Sequence, residues 1–154
     1  MDVMKFNAVF LVDCWDQNRF SQPNSVLSFY HSIIEFLKKI TYNYIFETSG
    51  VPADIFKETY PELKTGSVPR AEEYVKKGPV LVGGCSWGDC LHHGTSSFEV
   101  LSHHGYDVFS VPDIVFNGQP FERITEDSFN NDKEGLQYNR VWKKVGNFYQ
   151  YITK

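Results

Sequence analysis

The chain alternates compact apolar runs with longer stretches of helical periodicity. Residues 8–12 read Ala-Val-Phe-Leu-Val and are closed by Asp13. An uninterrupted run of this kind predicts a strand covered on both faces. A polar and aromatic loop follows over 13–24. Val26, Phe29, Ile33, Leu37 and Ile40 then fall on one helical stripe, with Asn24 as its expected cap. Residues 43–46 predict a second strand. Prolines at 52, 61 and 69 restrict 48–69 to short elements, with one short helix at about 53–58. Pro69 opens an expected helix over 69–75 that Gly78 stops. Residues 79–83, Pro-Val-Leu-Val-Gly, predict another buried strand. Leu91, Thr95, Phe98 and Leu101 continue as a helix up to Gly105, and 106–111 predict a further strand. Residues 113–132 read as an edge strand and a polar loop. The spacing of Val141, Val145, Phe148 or Tyr149, and Ile152 predicts a final helix.

Strand, helix and strand repeat with short connections, the signature of parallel βαβ units. The expected fold is a three-layer α/β/α sandwich around a mostly parallel sheet. The 154 residues form one expected domain spanning 1–154. The net charge is −4, and lysines pair only at 38–39, 76–77 and 143–144. That is too little positive charge for a phosphate-tracking stripe, so no nucleic-acid partner is expected. The N-terminus runs into a short strand rather than a long apolar segment. No leader and no membrane span are expected, and the compartment is expected to be cytoplasmic. Three cysteines without a Cys-x-x-Cys spacing argue against a disulfide framework. Without a Gly-x-Gly-x-x-Gly or Walker-type loop, no cofactor is expected. Aromatic residues are abundant, and Tyr138, Trp142, Phe148, Tyr149 and Tyr151 crowd the C-terminal segment. On a helix they would exceed what one core-facing stripe can bury. This predicts a homo-oligomer, most simply a dimer.

The candidate chemistry concentrates at 83–93, Gly-Gly-Cys-Ser-Trp-Gly-Asp-Cys-Leu-His-His. A loop after a buried strand lies at the carboxyl edge of an open sheet, where ligands bind. Asp89 or Ser86 can cap the following helix, which would place Cys90 in its first turn. There the unpaired N–H groups would lower a thiol pKa and could also hold an oxyanion. Trp15 and Trp87 offer faces for a flat heteroaromatic ring. His92 together with Asp13 or Asp16 is a conceivable part of a zinc site, but no compact Asp-x-His segment accompanies it and no metal is expected.

The run from Gly84 to Leu91 resembles the nucleophile loop of the isochorismatase-like cysteine hydrolases, which include nicotinamidases. A glycine six positions before Cys90 ends the strand, as in that family. Residues 9–12 followed by Asp13 resemble the family's first strand and catalytic aspartate. Gln17, Asn18 and Phe20 resemble its Gln-Asn-x-Phe sequence, and 105–108 with 111–113 its following strand and aspartate. The resemblance covers about half the chain. It implies a small-molecule substrate cleaved at an amide-like or related C–N or C–O bond. Cys90 is then the nucleophile and Asp13 the proton acceptor, with Asp16 competing for that role. Lys64 steadies the ion pair, with Lys57 as the other candidate. Trp15, Ser86, Trp87 and Asp89 are the expected substrate contacts, and a cis bond is implied at Cys85–Ser86. The middle of the chain departs from the family: it is short, and neither lysine stands in the family's context. Two other readings follow. One is a degenerate relative that keeps the fold and binds without chemistry. The other is a different small hydrolase or transferase that uses an aspartate.

Overall fold

The computed structural model describes residues 4–118 and 121–154. Their centre is β1, Lys5–Val12, whose residues from Ala8 onward are almost wholly withdrawn from solvent. It is flanked by two parallel neighbours, β2 (Thr41–Glu47) and β4 (Pro79–Cys85). Beyond β2 lies the two-residue β3, Lys64–Thr65. Beyond β4 lies β5, Asp107–Ser110, also parallel. A short β6, Val115–Phe116, pairs with the end of β4. The mostly parallel sheet carries helices on both faces, a three-layer α/β/α arrangement. No helix among the described residues is long and apolar enough to cross a membrane.

Local chemistry explains most elements. The first helix, α1, spans Pro23–Leu37 and buries Val26, Phe29, Tyr30, Ile33, Ile34 and Leu37 as one stripe. It begins one residue before the expected cap Asn24, because Pro23 has a fixed φ suited to a first helical position. The short helix α2 is Asp54–Thr59, and α3 is only Val68–Ala71. The helix expected through Leu91, Thr95, Phe98 and Leu101 is two helices, α4 (Cys90–His93) and α5 (Phe98–His103). Gly94 separates them: a Cβ there would lie 2.6 Å from the Cys90 carbonyl oxygen. Ser97 then restarts the backbone, its side chain accepting from the Val100 N–H. Residues 113–132 hold a 3-10 turn over Pro112–Ile114, β6 and the helix α6, Glu126–Asn130. Residues 119–120 of that expected loop lie outside the described residues.

The expected C-terminal helix is a β-hairpin. A short helix α7 (Lys133–Gln137) leads into β7 (Arg140–Val145) and β8 (Phe148–Thr153). β8 joins β5 antiparallel, so the sheet order is β3-β2-β1-β4-β5-β8-β7. Gly146, at φ 60, supplies the left-handed turn residue that a two-residue hairpin connection needs. Alternation decides the outcome. Tyr149 and Tyr151 are buried while the alternate residues Phe148, Gln150 and Ile152 are less so, a period of two. Trp142 sits opposite Tyr151, and its ring packs at 4.8 Å on each of Phe98, Phe129 and Tyr151. Most of the crowded aromatic side chains therefore fill the core. The helical interface that motivated the expected oligomer does not exist.

A buried polar knot ties this hairpin to the loop after β4. The His92 ring is fully buried. Its Nε2 is 2.8 Å from Asp132 Oδ2, and its Nδ1 is 2.9 Å from the Gly88 amide. A carboxylate only accepts, so the neutral ring carries its proton on Nε2 and receives the Gly88 N–H on Nδ1. Asp132 also accepts from Trp142 Nε1 at 2.7 Å and from the Gly135 amide at 3.1 Å. Burial pushes its carboxyl pKa up. The hydrogen bonds from His92, Trp142 and Gly135 outweigh that push and leave it below the ordinary carboxylate value. A lowered folded-state pKa contributes stability above the unfolded value, and that contribution is lost as pH falls through the folded value. Asp132→Asn is expected to cost about 1–3 kcal/mol at neutral pH. The deficit should shrink below about pH 4. Urea denaturation at neutral and acid pH measures both.

Candidate active site

The order β2-β1-β4 means that the chain leaves β1 toward one side of the sheet and leaves β4 toward the other. The crevice between their carboxyl ends is the switch point at which open α/β sheets bind ligands. Leu11 pairs with Gly83 and Val12 with Gly84, so Asp13 and the 85–90 loop emerge side by side. Gly84 makes this approach possible. It holds φ +112, and a Cβ there would lie 2.3 Å from the Val12 carbonyl oxygen.

A cavity of about 240 Å³ opens at this crevice. It is lined by Asp13, Trp15, Cys85, Ser86, Asp89 and Cys90, with Phe20, Phe121 and Gly118 completing the walls. Four of the expected site residues, Asp13, Trp15, Ser86 and Asp89, thus share one space with Cys90. The Cys85–Ser86 bond is cis, at the position the family resemblance implies. Trp15 and Phe20 stack with centroids 5.0 Å apart, and Phe121 stands edge-on to Phe20 at 5.1 Å.

Trp87 lies elsewhere. Its ring packs on His92, Phe98, Phe129 and Trp142, inside the aromatic core behind the loop. Asp16 lines a separate, larger cavity with Arg19 and Lys57, and its Oδ1 accepts the Asn18 amide at 3.0 Å. Of the two competing aspartates, Asp13 is therefore the one beside the thiol. Lys64 sits in β3 with its ammonium 4.4 Å over the Tyr74 ring, and Lys57 pairs with Asp54 at 3.0 Å. Neither lysine lines the Cys90 cavity, nor does any arginine or histidine among the described residues.

The electrostatics follow from that absence. Burial pushes the Cys90 thiol up to about 12, and a hydrogen bond with Asp13 and the charges of Asp13 and Asp89 add to the effect. The lowering expected from a helix N-terminus is not realised. α4 is four residues long and ends at Gly94, too short to build an appreciable dipole. Cys85, directly before the cis bond, is also raised to about 12, mainly by burial. Asp89 stands at the N-cap of α4 but makes no side-chain capping bond, which leaves its carboxylate free for the cavity. Within 86–90, the Trp87, Gly88 and Asp89 amides bind the Phe116 carbonyl, His92 Nδ1 and the Ser86 carbonyl. This narrows the oxyanion donors of the loop to Ser86 and Cys90.

Several supporting residues escaped the sequence reading. Glu47, fully buried at the end of β2, accepts the Cys14 amide at 3.0 Å, the Ser49 hydroxyl at 2.7 Å and the Gly50 amide at 3.2 Å. It clamps the chain just after Asp13, whose own amide donates to Thr48 Oγ1. The sequence signal was an acid at a strand end followed by Thr-Ser-Gly. His92 serves Asp132 and Gly88, and His93 lies between Glu134 and Tyr138, so neither turns toward a shared ligand. No group of three or more metal-ligating side chains forms among the described residues.

Substituting Gly84 with alanine is expected to destabilise the fold by on the order of 3 kcal/mol. Thermal denaturation measures this directly. Compared with known proteins, this chain matches no family model, no curated protein and no solved structure.

Proposed function

We propose that the chain is a small-molecule hydrolase that uses Cys90 as nucleophile and Asp13 as proton acceptor on an amide-like C–N bond. The observation that carries this reading is the placement of Cys90 and Asp13 in one cavity at the switch point of the sheet. A thiol raised to about 12 is neutral at physiological pH, so it reacts by giving up its proton as it attacks. The sulfur–carbon bond forms as the thiol proton passes to Asp13, and the carbonyl electron pair moves onto oxygen. Of the loop amides, those of Ser86 and Cys90 are the ones left to donate to that developing charge. Collapse expels the amine, which takes the proton back from Asp13. Water, deprotonated by Asp13, then opens the thioester, releases the acid and restores the thiol. Trp15, Phe20 and Phe121 hold the body of the substrate.

One observation favours a second reading, a binding protein that keeps the fold without the chemistry. Among the described residues the cavity has no cationic side chain to steady a thiolate, since Lys64 and Lys57 are occupied elsewhere. Turnover decides between the two. Screening small amides is expected to give release of amine by the wild-type protein and a transient acyl adduct on Cys90 by intact-mass measurement. Cys90→Ala should abolish both. Asp13→Asn should lower turnover by roughly a hundredfold or more. Binding of amides without amine release or adduct supports the second reading and contradicts the hydrolase.

A further inference from the structure

We infer that the Cys90 cavity selects a compact planar organic cation, a group of the amidine or guanidine type. The inference rests on the reading of this cavity as the substrate site and adds the charge class of what enters it. Among the described residues, and apart from its two thiols, the lining has ionisable groups of one sign only, Asp13 and Asp89. Asp89 makes no capping bond to its own helix, and no ion pair among the described residues engages it. Beside Ser86 and Gly118, the rest of the wall is aromatic: the stacked Trp15 and Phe20, with Phe121 edge-on beside them. Aromatic faces carry negative partial charge, so rings and carboxylates together form a surface complementary to a cation. An anion entering the same space meets two carboxylates and no donor side chain of opposite charge. A neutral ring gains packing alone.

The neighbouring cavity shows how local this is. Arg19 and Lys57 line that space together with Asp16 and Asp54, a mixed set of charges. The segment from Trp15 to Phe20 contributes to both cavities, yet Arg19 is not among the residues lining the Cys90 cavity. The Cys90 cavity is thus left with one sign of charge. A bound cation would stand beside the thiol and Asp13, where no lysine stands. There it would favour the charged form of the sulfur. Ligand charge would then do what a protein ammonium does elsewhere.

Three probes share one ring and differ in charge: benzamidine, benzamide and benzoate. Calorimetric titration of the intact protein is expected to show benzamidine binding roughly tenfold more tightly than benzamide. Benzoate should be weakest. Added salt should weaken benzamidine and leave benzamide unaffected. Asp89→Asn should lower benzamidine affinity severalfold without changing that of benzamide, and Trp15→Ala should weaken both probes. Equal affinity for benzamidine and benzamide, tighter binding of benzoate, or no saturable benzamidine binding overturns the inference. A benzamidine preference that Asp89→Asn leaves unchanged places the cation elsewhere and also overturns it. These outcomes separate from those of the hydrolase. Cation selectivity with no amide turnover removes the reaction and leaves the site, whereas turnover without cation selectivity does the reverse.

Discussion

The site depends on how closely β4 passes β1. Gly84 lies against the Val12 backbone where any side chain would collide with the Val12 carbonyl. That contact sets the end of β4 level with the end of β1, so Asp13 and Cys90 face the same space. Everything else holds this arrangement in place. Glu47 clamps the chain after Asp13 from the β2 side, and His92 holds the Gly88 amide from the side of the C-terminal hairpin. The two anchors are buried polar groups whose bonds are satisfied within the fold. Breaking either would leave an unpaired group in the interior, which is why they fix geometry and not only add stability.

Charge is the second determinant. Burial makes Cys90 a poor thiolate, and the neighbouring carboxylate reinforces that. The resemblance of the nucleophile loop implies a lysine to offset it, whereas Lys64 rests over Tyr74 at the edge of the sheet. A cationic ligand resolves the conflict, because it is drawn by the same carboxylates that hold the thiol proton in place. Binding and activation would then be one electrostatic event, and the empty protein would keep its cysteine protected from adventitious oxidants.

The parallel half of the fold was legible in the sequence for a physical reason. β1 and β4 are buried on both faces and read as unbroken apolar runs, and α1 carries a full helical stripe. The loops between such elements fall at a predictable edge, so Asp13, Trp15, Ser86, Asp89 and Cys90 could be gathered before their geometry was known. The antiparallel end was misread. Val141, Val145 and Ile152 fit a helical spacing, while the alternating burial of Tyr149 and Tyr151 arises from packing against Phe98, Phe129 and Trp142. Trp87 was misplaced for the same reason. Its neighbours Trp142 and Phe129 lie far away in sequence, and the aromatic core that draws it inward is made only when the hairpin folds. Lys64 was misplaced because β3 is two residues long and leaves almost no trace of a strand in its pattern.

The coupling of Cys90 to Asp13 is the claim on which the rest stands, and the pH dependence of Cys90 alkylation by iodoacetamide reads it directly. With Cys85 and Cys14 buried, peptide mapping isolates the Cys90 signal. The account predicts a wild-type rate that is low at neutral pH and still climbing at about pH 10, well above an ordinary thiol near about 8.5. In Asp13→Asn the whole profile should move to lower pH, because removing the carboxylate charge removes one of the effects that hold the proton on sulfur. A wild-type profile that levels off at an ordinary thiol value, or one that Asp13→Asn leaves in place, would contradict it.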